Sequence, residues 1–189
     1  IKEICSLSEK MGSLVIIDEA YYHFNNITAK SLIKKCKNLI VVRTFSKAFG
    51  VAGMRVGYTI SNKKIIGYML SIKPIYEINA FNMKLVRLLI KNIKVMKDYV
   101  KEVHKGRNLL KEFLKLHKIE MIGKYSNTVL FKLSNKKKVD KVIKYLFKNK
   151  FIVRPMKIDN DDRYIRATLG SSKIMRQFIK KLQTALLAY

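Results

Sequence analysis

The side chains best suited to covalent chemistry are gathered around Lys47. Thr44 and Ser46 offer hydroxyl groups beside the lysine, and Arg55 follows with a planar guanidinium that suits a phosphate group. Glycines in the same stretch allow the backbone to approach a ligand closely. A lysine amine can form a Schiff base with an aldehyde, while hydroxyls and an arginine hold a phosphate. The combination fits a site for pyridoxal 5′-phosphate (PLP), a phosphorylated aldehyde.

The neighbours of Lys47 matter because basic residues are common in this chain. With 40 lysine and arginine residues, exposed surface charge is the default interpretation of any single lysine. An apolar run at residues 39–42 precedes Lys47 and predicts a buried strand, so the lysine is expected just beyond that strand. Arg43 and Arg55 are expected to be its cationic neighbours.

An acid and an aromatic residue follow a second apolar run. Residues 14–18 predict a short buried strand that ends at Asp18, and Tyr21 follows three residues later. Ligands of α/β sheets usually bind at the carboxyl ends of the strands, where this acid would lie. A cap on a turn or helix explains Asp18 equally well from this segment alone. His23 is interpreted as a structural or exposed histidine.

The elements that position these groups alternate between strand and helix. The order strand, acid, helix, strand, lysine predicts an α/β fold with a largely parallel sheet. A further strand is predicted over residues 56–60 and a helix over residues 63–71. Residues 81–116 place apolar residues at helical spacing without a proline, and predict a mainly helical connection between two domains.

The remaining residues, 117–189, predict a small α+β domain. Strands and amphipathic helices alternate along it, and the last strand is closed by Gly170. The predicted strands are 128–133, 151–154 and 164–169, and the predicted helices are 136–148 and 172–188. The later helices are expected to bury a stripe that includes Phe147 and Ile174.

The net charge is +27, from 40 basic residues against 13 acidic residues. Such a charge is typical of a nucleic-acid-binding module, which we retain as an alternative from a different functional class. The lysines are spread along the whole chain, however, and net charge bears on non-specific binding more than on fold. We therefore expect no specific nucleic-acid partner.

Composition also bears on membranes and metals. A hydrophobic content of 49% suits a folded chain rather than a disordered one. The apolar runs are short and interrupted by lysines, so no transmembrane helix or membrane partner is predicted. The first residues carry no secretory pattern. Cys5 and Cys36 lack metal-ligand spacing, so we predict no metal site and expect reduced thiols in a cytoplasmic protein.

A family resemblance is carried by the segment around Lys47, RTFSKAFGVAGMRVGY at residues 43–58. The segment resembles the PLP-lysine motif of histidinol-phosphate aminotransferases, which belong to the aspartate-aminotransferase-like PLP enzymes. Further segments are similar to the same family: DEAYYHF at 18–24, FIVRPM at 151–156 and YIRATLG at 164–170. The resemblance runs over essentially the whole chain.

The resemblance implies the aminotransferase fold of type I. Residues 1–80 would be the remainder of a large PLP-binding domain with a mostly parallel sheet. Residues 81–116 would be the connecting helix, and residues 117–189 the small C-terminal α+β domain. The chain would correspond to the C-terminal half of such an enzyme. We therefore expect a fragment that is inactive alone.

The resemblance also implies roles for individual residues. Lys47 would form the Schiff base with PLP and then act as a general base. Asp18 would pair with the pyridine nitrogen, and Tyr21 would donate a hydrogen bond to the phenolic oxygen. The cofactor phosphate would be anchored by Thr44, Ser46 and Arg55.

Arg154 and Arg166 are candidates for binding the substrate. Taken alone, each is an ordinary surface charge. Arg166 alternates with apolar neighbours and should therefore lie on the face opposite the buried one, whereas Arg154 is expected to end its strand before a proline. By the resemblance these arginines meet the anionic groups of the substrate, which suits the bidentate geometry of a guanidinium.

The implied reaction is a PLP-dependent transamination in histidine biosynthesis. L-Histidinol phosphate and 2-oxoglutarate would give imidazole-acetol phosphate and L-glutamate, in a homodimeric enzyme. A threonine-phosphate decarboxylase or an aromatic aminotransferase shares the same scaffold and stays an alternative. A non-catalytic relic of the fold is less consistent with the sequence, because Asp18, Tyr21, Lys47, Arg55 and Arg166 are all present.

Overall fold

Two sheets organise the chain, one in each of two structural units. The computed structural model describes residues 1–75 and 77–189. The N-terminal unit comprises Ile1–Met96 and the C-terminal unit comprises Lys97–Tyr189. The boundary between the units lies inside a helix, α5 (Ile93–Leu116). The predicted division at residues 80 and 116 stays a prediction.

The N-terminal unit contains a three-stranded sheet with the order β1-β2-β3. The strands are β1 (Val15–Asp18), β2 (Leu39–Thr44) and β3 (Gly57–Ile60). The first two strands run parallel, with Asp18 opposite Val42, which confirms the expected parallel pairing. The third strand runs antiparallel to β2, because the chain turns back through a short 3₁₀ segment and makes no helical crossover. The expectation of a largely parallel sheet therefore holds for only one of the described pairs.

The core of the N-terminal unit lies in two clusters. One cluster contains Leu39 and Val41 of β2, which are fully buried, together with Cys5 and Cys36. The other contains Phe45, Val56 and Val86. Phe45 lies between Thr44 and Ser46 in the sequence, so the second cluster anchors the segment that carries Lys47.

Helices flank this sheet. They are α1 (Lys2–Lys10), α2 (Tyr22–Asn25), α3 (Lys63–Ile72) and α4 (Ala80–Lys91). The Asn79 side chain caps α4 by accepting a hydrogen bond from the Asn82 N–H at 2.8 Å. The predicted helical stretch 81–116 is confirmed as mainly helical but is divided at Asn92, which ends α4 before α5 begins.

The C-terminal unit contains a four-stranded antiparallel sheet with the order β4-β5-β7-β6. The strands are β4 (Met121–Ile122), β5 (Thr128–Lys132), β6 (Arg154–Ile158) and β7 (Asp161–Thr168). The helices α6 (Lys136–Lys148) and α7 (Ser172–Ala188) pack against one another. Both helices have the predicted bounds, and the predicted α+β composition is confirmed.

Three predictions for this unit are wrong in detail. The strand predicted over residues 151–154 instead begins at Arg154. Proline is tolerated near the start of an edge strand, and Pro155 occupies that position in β6. Phe147 and Ile174 are 65% and 50% exposed rather than buried. The buried stripe of α7 starts instead at Met175, since the Ser171 cap fixes where the helix begins.

The described residues also bear on membranes and metals. Across residues 1–75 and 77–189, no helix combines the length and the apolar character needed to cross a bilayer. The same part of the chain contains no group of three or more histidine, cysteine or acidic side chains placed to hold a metal ion.

Candidate active site

Lys47 lies in a tight turn just after β2. The Thr44 hydroxyl ends the strand by accepting the Ser46 N–H at 3.0 Å and donating to the Val56 carbonyl at 3.3 Å. The Gly50 N–H donates to the Lys47 carbonyl at 3.1 Å, and Gly50 has a φ of +72°, which favours glycine. Local hydrogen bonds therefore fix the backbone on both sides of the lysine.

The half-buried Lys47 amine faces an aromatic ring. Its Nζ lies 5.3 Å from the centroid of the Tyr21 ring. Within the described residues, Lys47 forms no ion pair with a carboxylate. No carboxylate of the described residues therefore pairs with this amine, and Tyr21 and Lys47, two of the predicted site residues, lie near one another.

Asp18 is the last residue of β1 and is exposed. Its Oδ1 accepts a hydrogen bond from the Ala20 N–H at 2.8 Å, so it does cap the turn that leads towards Tyr21. It also lies opposite Val42 in the parallel pair, two residues before Thr44. The carboxylate is therefore positioned at the same end of the sheet as the turn that carries Lys47.

Arg55 lies at the end of the same connection, in the left-handed conformation with a φ of +53°. Its Nη1 donates to the Ala52 carbonyl at 3.2 Å, and the side chain is exposed. The following strand passes very close to β2, because a Cβ on Gly57 would lie 2.6 Å from the Arg43 carbonyl oxygen. This close approach brings the two ends of the loop together, with Thr44 at its start and Arg55 near its end.

The chemistry of these donors fits PLP. An amine, two hydroxyls and a guanidinium lie on one connection between β2 and β3, and a carboxylate and a phenol lie on the neighbouring segment after β1. On PLP, the amine suits the aldehyde, and the hydroxyls and the guanidinium suit the phosphate. The carboxylate suits the ring nitrogen, and the phenol suits the phenolic oxygen. Lys47, Tyr21, Thr44, Ser46, Arg55 and Asp18 all belong to the N-terminal unit.

Arg43 was expected only as a cationic neighbour of Lys47, and the structure gives it an acidic partner of its own. It is buried and forms an ion pair with Glu19, with Nη2 2.9 Å from Oε2. Burial acts to lower the pKa of Arg43, but contacts with Tyr58 and Glu19 outweigh burial and raise the pKa above its usual value. Its charge is therefore balanced locally. Arg43 directly follows an apolar run, which indicates that its charge needs a partner, but the sequence does not show which acid that partner is.

His23 is a further titratable group in this region. Its ring lies 5.1 Å from the Phe49 ring, edge to face, and 5.0 Å from the Tyr22 ring. In the described structure the buried Nε2 has no hydrogen-bond partner. Burial lowers the pKa of His23, and the Arg43 charge lowers it further. His23 is therefore a neutral packing residue near neutral pH, which agrees with its structural interpretation.

Arg154 and Arg166 belong to the C-terminal unit and are directly opposite one another on β6 and β7. Both side chains are exposed, and Arg166 alternates with the buried Ile165 and Ala167 as predicted. Among the described residues, neither arginine pairs with a carboxylate. The two guanidinium groups therefore form an exposed cationic pair suited to anions.

Comparison with known proteins identifies the family. Residues 1–182 match the model of the family described as aminotransferase class I and II. A histidinol-phosphate aminotransferase from Thermoanaerobacter pseudethanolicus is 33% identical over 188 residues, which cover 98% of this chain and 52% of that relative. The chain thus spans about half the length of the curated relative.

Solved structures show the same fold. The histidinol-phosphate aminotransferase from Sinorhizobium meliloti in complex with pyridoxal-5'-phosphate aligns with a TM-score of 0.83 at 17% identity, covering 99% of this chain and 53% of that one. The L-threonine-O-3-phosphate decarboxylase from Porphyromonas gingivalis aligns with a TM-score of 0.77 at 22% identity, covering 97% and 58%. The predicted aminotransferase fold of type I is therefore confirmed.

Proposed function

The chain belongs to the aminotransferase class I and II family, and on that premise we propose that its full protein transfers the amino group of L-histidinol phosphate to 2-oxoglutarate. The products would be imidazole-acetol phosphate and L-glutamate, a step of histidine biosynthesis. The relative at 33% identity that bears the name histidinol-phosphate aminotransferase supports this substrate. PLP is the cofactor of the family, and the donor set around Lys47 fits it.

One observation carries the proposal. The Lys47 amine lies 5.3 Å from the Tyr21 ring, just after β2, while Asp18 ends the parallel neighbour β1. An amine, a phenol and a carboxylate thus lie at or just after the carboxyl ends of adjacent parallel strands, where ligands of α/β sheets bind. A nucleic-acid-binding module would give Lys47 no such privileged position.

Each residue is proposed to act through its own chemistry. PLP, when bound, supplies an electron sink that stabilises negative charge on the substrate's α-carbon. Lys47 holds the cofactor covalently and then carries a proton to and from that carbon. Asp18 keeps the ring nitrogen protonated, and Tyr21 donates to the phenolic oxygen. The hydroxyls of Thr44 and Ser46 and the Arg55 guanidinium hold the phosphate.

Substrate anions are proposed to bind at Arg154 and Arg166. Their opposed positions on β6 and β7 offer two guanidinium groups for a carboxylate or a phosphate. We further propose a cytoplasmic homodimer in which residues 81–116 connect the large and the small domain. The segment described here should show negligible activity alone, because it spans 52% of its curated relative.

A phosphothreonine decarboxylase is the second candidate. L-Threonine-O-3-phosphate decarboxylase shares the fold, at a TM-score of 0.77. Both substrates carry an amino group and a phosphate, so the arginines alone do not separate them. An aromatic aminotransferase shares the scaffold, but its substrate carries no phosphate for the arginine pair to bind.

The test uses the full protein that contains these residues, loaded with PLP. L-Histidinol phosphate is added without a keto acid, and the absorption spectrum is followed. Conversion of bound PLP to pyridoxamine 5′-phosphate is expected, and Lys47→Ala should slow it by about 10²- to 10⁴-fold, the usual worth of a general acid–base group. Lys63→Ala, an exposed lysine of α3, is the matched control and should leave the rate unchanged.

Two outcomes would contradict the proposal. Release of CO₂ from L-threonine O-3-phosphate, with no response to L-histidinol phosphate, would establish the decarboxylase instead. A PLP spectrum that responds to neither compound, with equal effects of the two lysine variants, would remove Lys47 from its proposed role.

A further inference from the structure

We propose that Glu19 and Arg43 are positioning residues of the site around Lys47. In this inference, which rests on the proposed function, they hold the segment that carries Asp18 and Tyr21 against the strand that leads to Lys47. Among the described residues, their side-chain contacts beyond the pair itself run to Thr28, Ala29, Tyr22 and Tyr58. Their effect passes through Tyr22 and through the backbone on either side of the pair.

The pair occupies a critical point in the chain. Glu19 directly follows Asp18, and Arg43 directly precedes Thr44. The Glu19 N–H also donates to the Val42 carbonyl at 2.8 Å, which continues the β1–β2 pairing by one residue. A contact between the Glu19 and Arg43 side chains therefore joins the two segments immediately beside the proposed site residues.

The Glu19 carboxylate is fully engaged. Oε2 accepts hydrogen bonds at 2.9 Å from Arg43 Nε and from the Thr28 hydroxyl, and Oε1 accepts the Ala29 N–H at 2.6 Å. Arg43 Nη2 donates in turn to the Thr28 hydroxyl at 2.9 Å. The segment from Glu19 to Ala29, which includes Tyr21, is thereby closed into a loop fastened to β2.

Stability alone is a weak explanation for such a pair. The Glu19 and Arg43 side chains are 5% and 8% exposed, so both charges lose most of their hydration. Buried ion pairs often stabilise a fold no more than apolar side chains of similar volume would. A pair with four well-formed hydrogen bonds is better explained by the fixed geometry that it gives to its neighbours.

The geometry reaches Tyr21 through a stack. The Arg43 guanidinium carbon lies 3.4 Å from the centroid of the Tyr22 ring, which places the planar group against the ring face. Tyr22 adjoins Tyr21, whose ring lies 5.3 Å from Lys47 Nζ. Arg43→Lys would keep the positive charge but remove the planar guanidinium, which donates to Glu19 and stacks on the Tyr22 ring.

The experiment compares four forms of the PLP-loaded full protein: wild type, Arg43→Lys, Tyr21→Phe and the double variant. The first measurement is the visible absorption band of bound PLP, which reports on the environment of its phenolic oxygen and needs no substrate. Arg43→Lys should shift the band in the same direction as Tyr21→Phe, and the double variant should shift it no further, since both changes act through one group.

The second measurement is turnover. Arg43→Lys should lower kcat by about 10- to 100-fold with little change in KM, as expected when reacting groups are displaced by about 1 Å. Asn38→Ala is the matched control, because buried Asn38 donates to the Cys5 and Ser13 carbonyls at 3.0 Å near the opposite end of β2. It should destabilise the chain without moving the band or kcat.

The proposal is overturned if Arg43→Lys leaves the band unmoved, if the two shifts add, or if Asn38→Ala reproduces them. Should Arg43→Lys fail to fold, Tyr22→Leu takes its place, because it retains the ion pair and removes only the ring under the guanidinium. It should produce the same band shift. If Tyr21→Phe shifts the band but L-histidinol phosphate leaves the wild-type band unchanged, the proposed substrate is wrong. The positioning role is then decided by the band shifts of the variants alone.

Discussion

The two units place their main charge clusters in opposite environments. In the N-terminal unit, Glu19 and Arg43 pair under a loop with side chains 5% and 8% exposed. In the C-terminal unit, Asp161 contacts Lys132 and Arg163 at 2.8 Å each, with side chains 22%, 26% and 42% exposed. The distances are similar, but the second cluster is much more exposed to water.

The difference in burial decides what each cluster can do. An exposed pair is screened by solvent, and either partner can be solvated when the other is removed. A buried charge that loses its partner has no such replacement, so the surrounding backbone must move. The buried cluster can therefore hold a site in place. The exposed cluster lies at the turn between β6 and β7 and contributes little to the position of other residues.

The largest expected effect comes from breaking the buried pair. Arg43→Met should lower the free energy of unfolding by about 3–5 kcal/mol, because it leaves the Glu19 carboxylate buried without its counterion. Chemical denaturation measures the loss, and hydrogen exchange should locate it in β1 and β2. The double variant Glu19→Gln, Arg43→Met should recover most of the loss. A loss of the same size in the double variant would show that packing, not charge, holds the loop.

An intermediate effect is expected from Glu102, whose side chain is 36% exposed but which also joins α5 to the start of α7. Its carboxylate accepts from Lys105 Nζ at 2.8 Å and from the Ser172 hydroxyl and N–H at 2.7 and 3.3 Å, at the start of α7. The Lys105 and Ser172 hydrogen bonds lower the pKa of Glu102 from 4.5 to about 2.

The sign of the pH effect follows from that lowered pKa. The folded state favours ionised Glu102, so its stabilisation is complete above pH 4.5 and is lost as the pH falls towards 2. Thermal unfolding followed across this range should show a steeper loss of Tm in wild type than in Glu102→Gln. Parallel curves for the two proteins would contradict the prediction.

The smallest effect is expected from the exposed cluster. Asp161→Asn should leave the midpoint of chemical denaturation close to that of wild type near neutral pH, since Lys132 and Arg163 gain water when the carboxylate is lost. Contacts with Arg163 and Lys132 lower the pKa of Asp161, so any difference should vanish on strong acidification. A loss comparable to that of Arg43→Met would erase the distinction between the clusters.

Much of the fold was accessible from periodicity. The helices α6 and α7 and the strand β2 follow from amphipathic spacing and from an apolar run, because burial selects those patterns directly. Lys47 and Tyr21 were both predicted as residues of the PLP site, and the Lys47 Nζ lies 5.3 Å from the centroid of the Tyr21 ring. Their chemical roles stay predictions.

Other features depend on contacts that spacing does not encode. Glu19 and Arg43 are 24 residues apart, so neither the sequence near Asp18 nor the sequence near Lys47 indicates that they pair. The exposure of Ile174 depends on a one-residue shift of the buried stripe to Met175. The start of β6 at Arg154 depends on its pairing with β7 rather than on its own apolar residues.

The close approach at Gly57 limits how this chain can change. A Cβ there would lie 2.6 Å from the Arg43 carbonyl oxygen, so every other amino acid requires the two backbones to separate. That separation would pull on the strand that carries both Arg43 and Thr44. In a library of variants designed to alter ligand preference, position 57 should therefore stay glycine. The substitutions should be made at positions whose side chains are exposed to solvent.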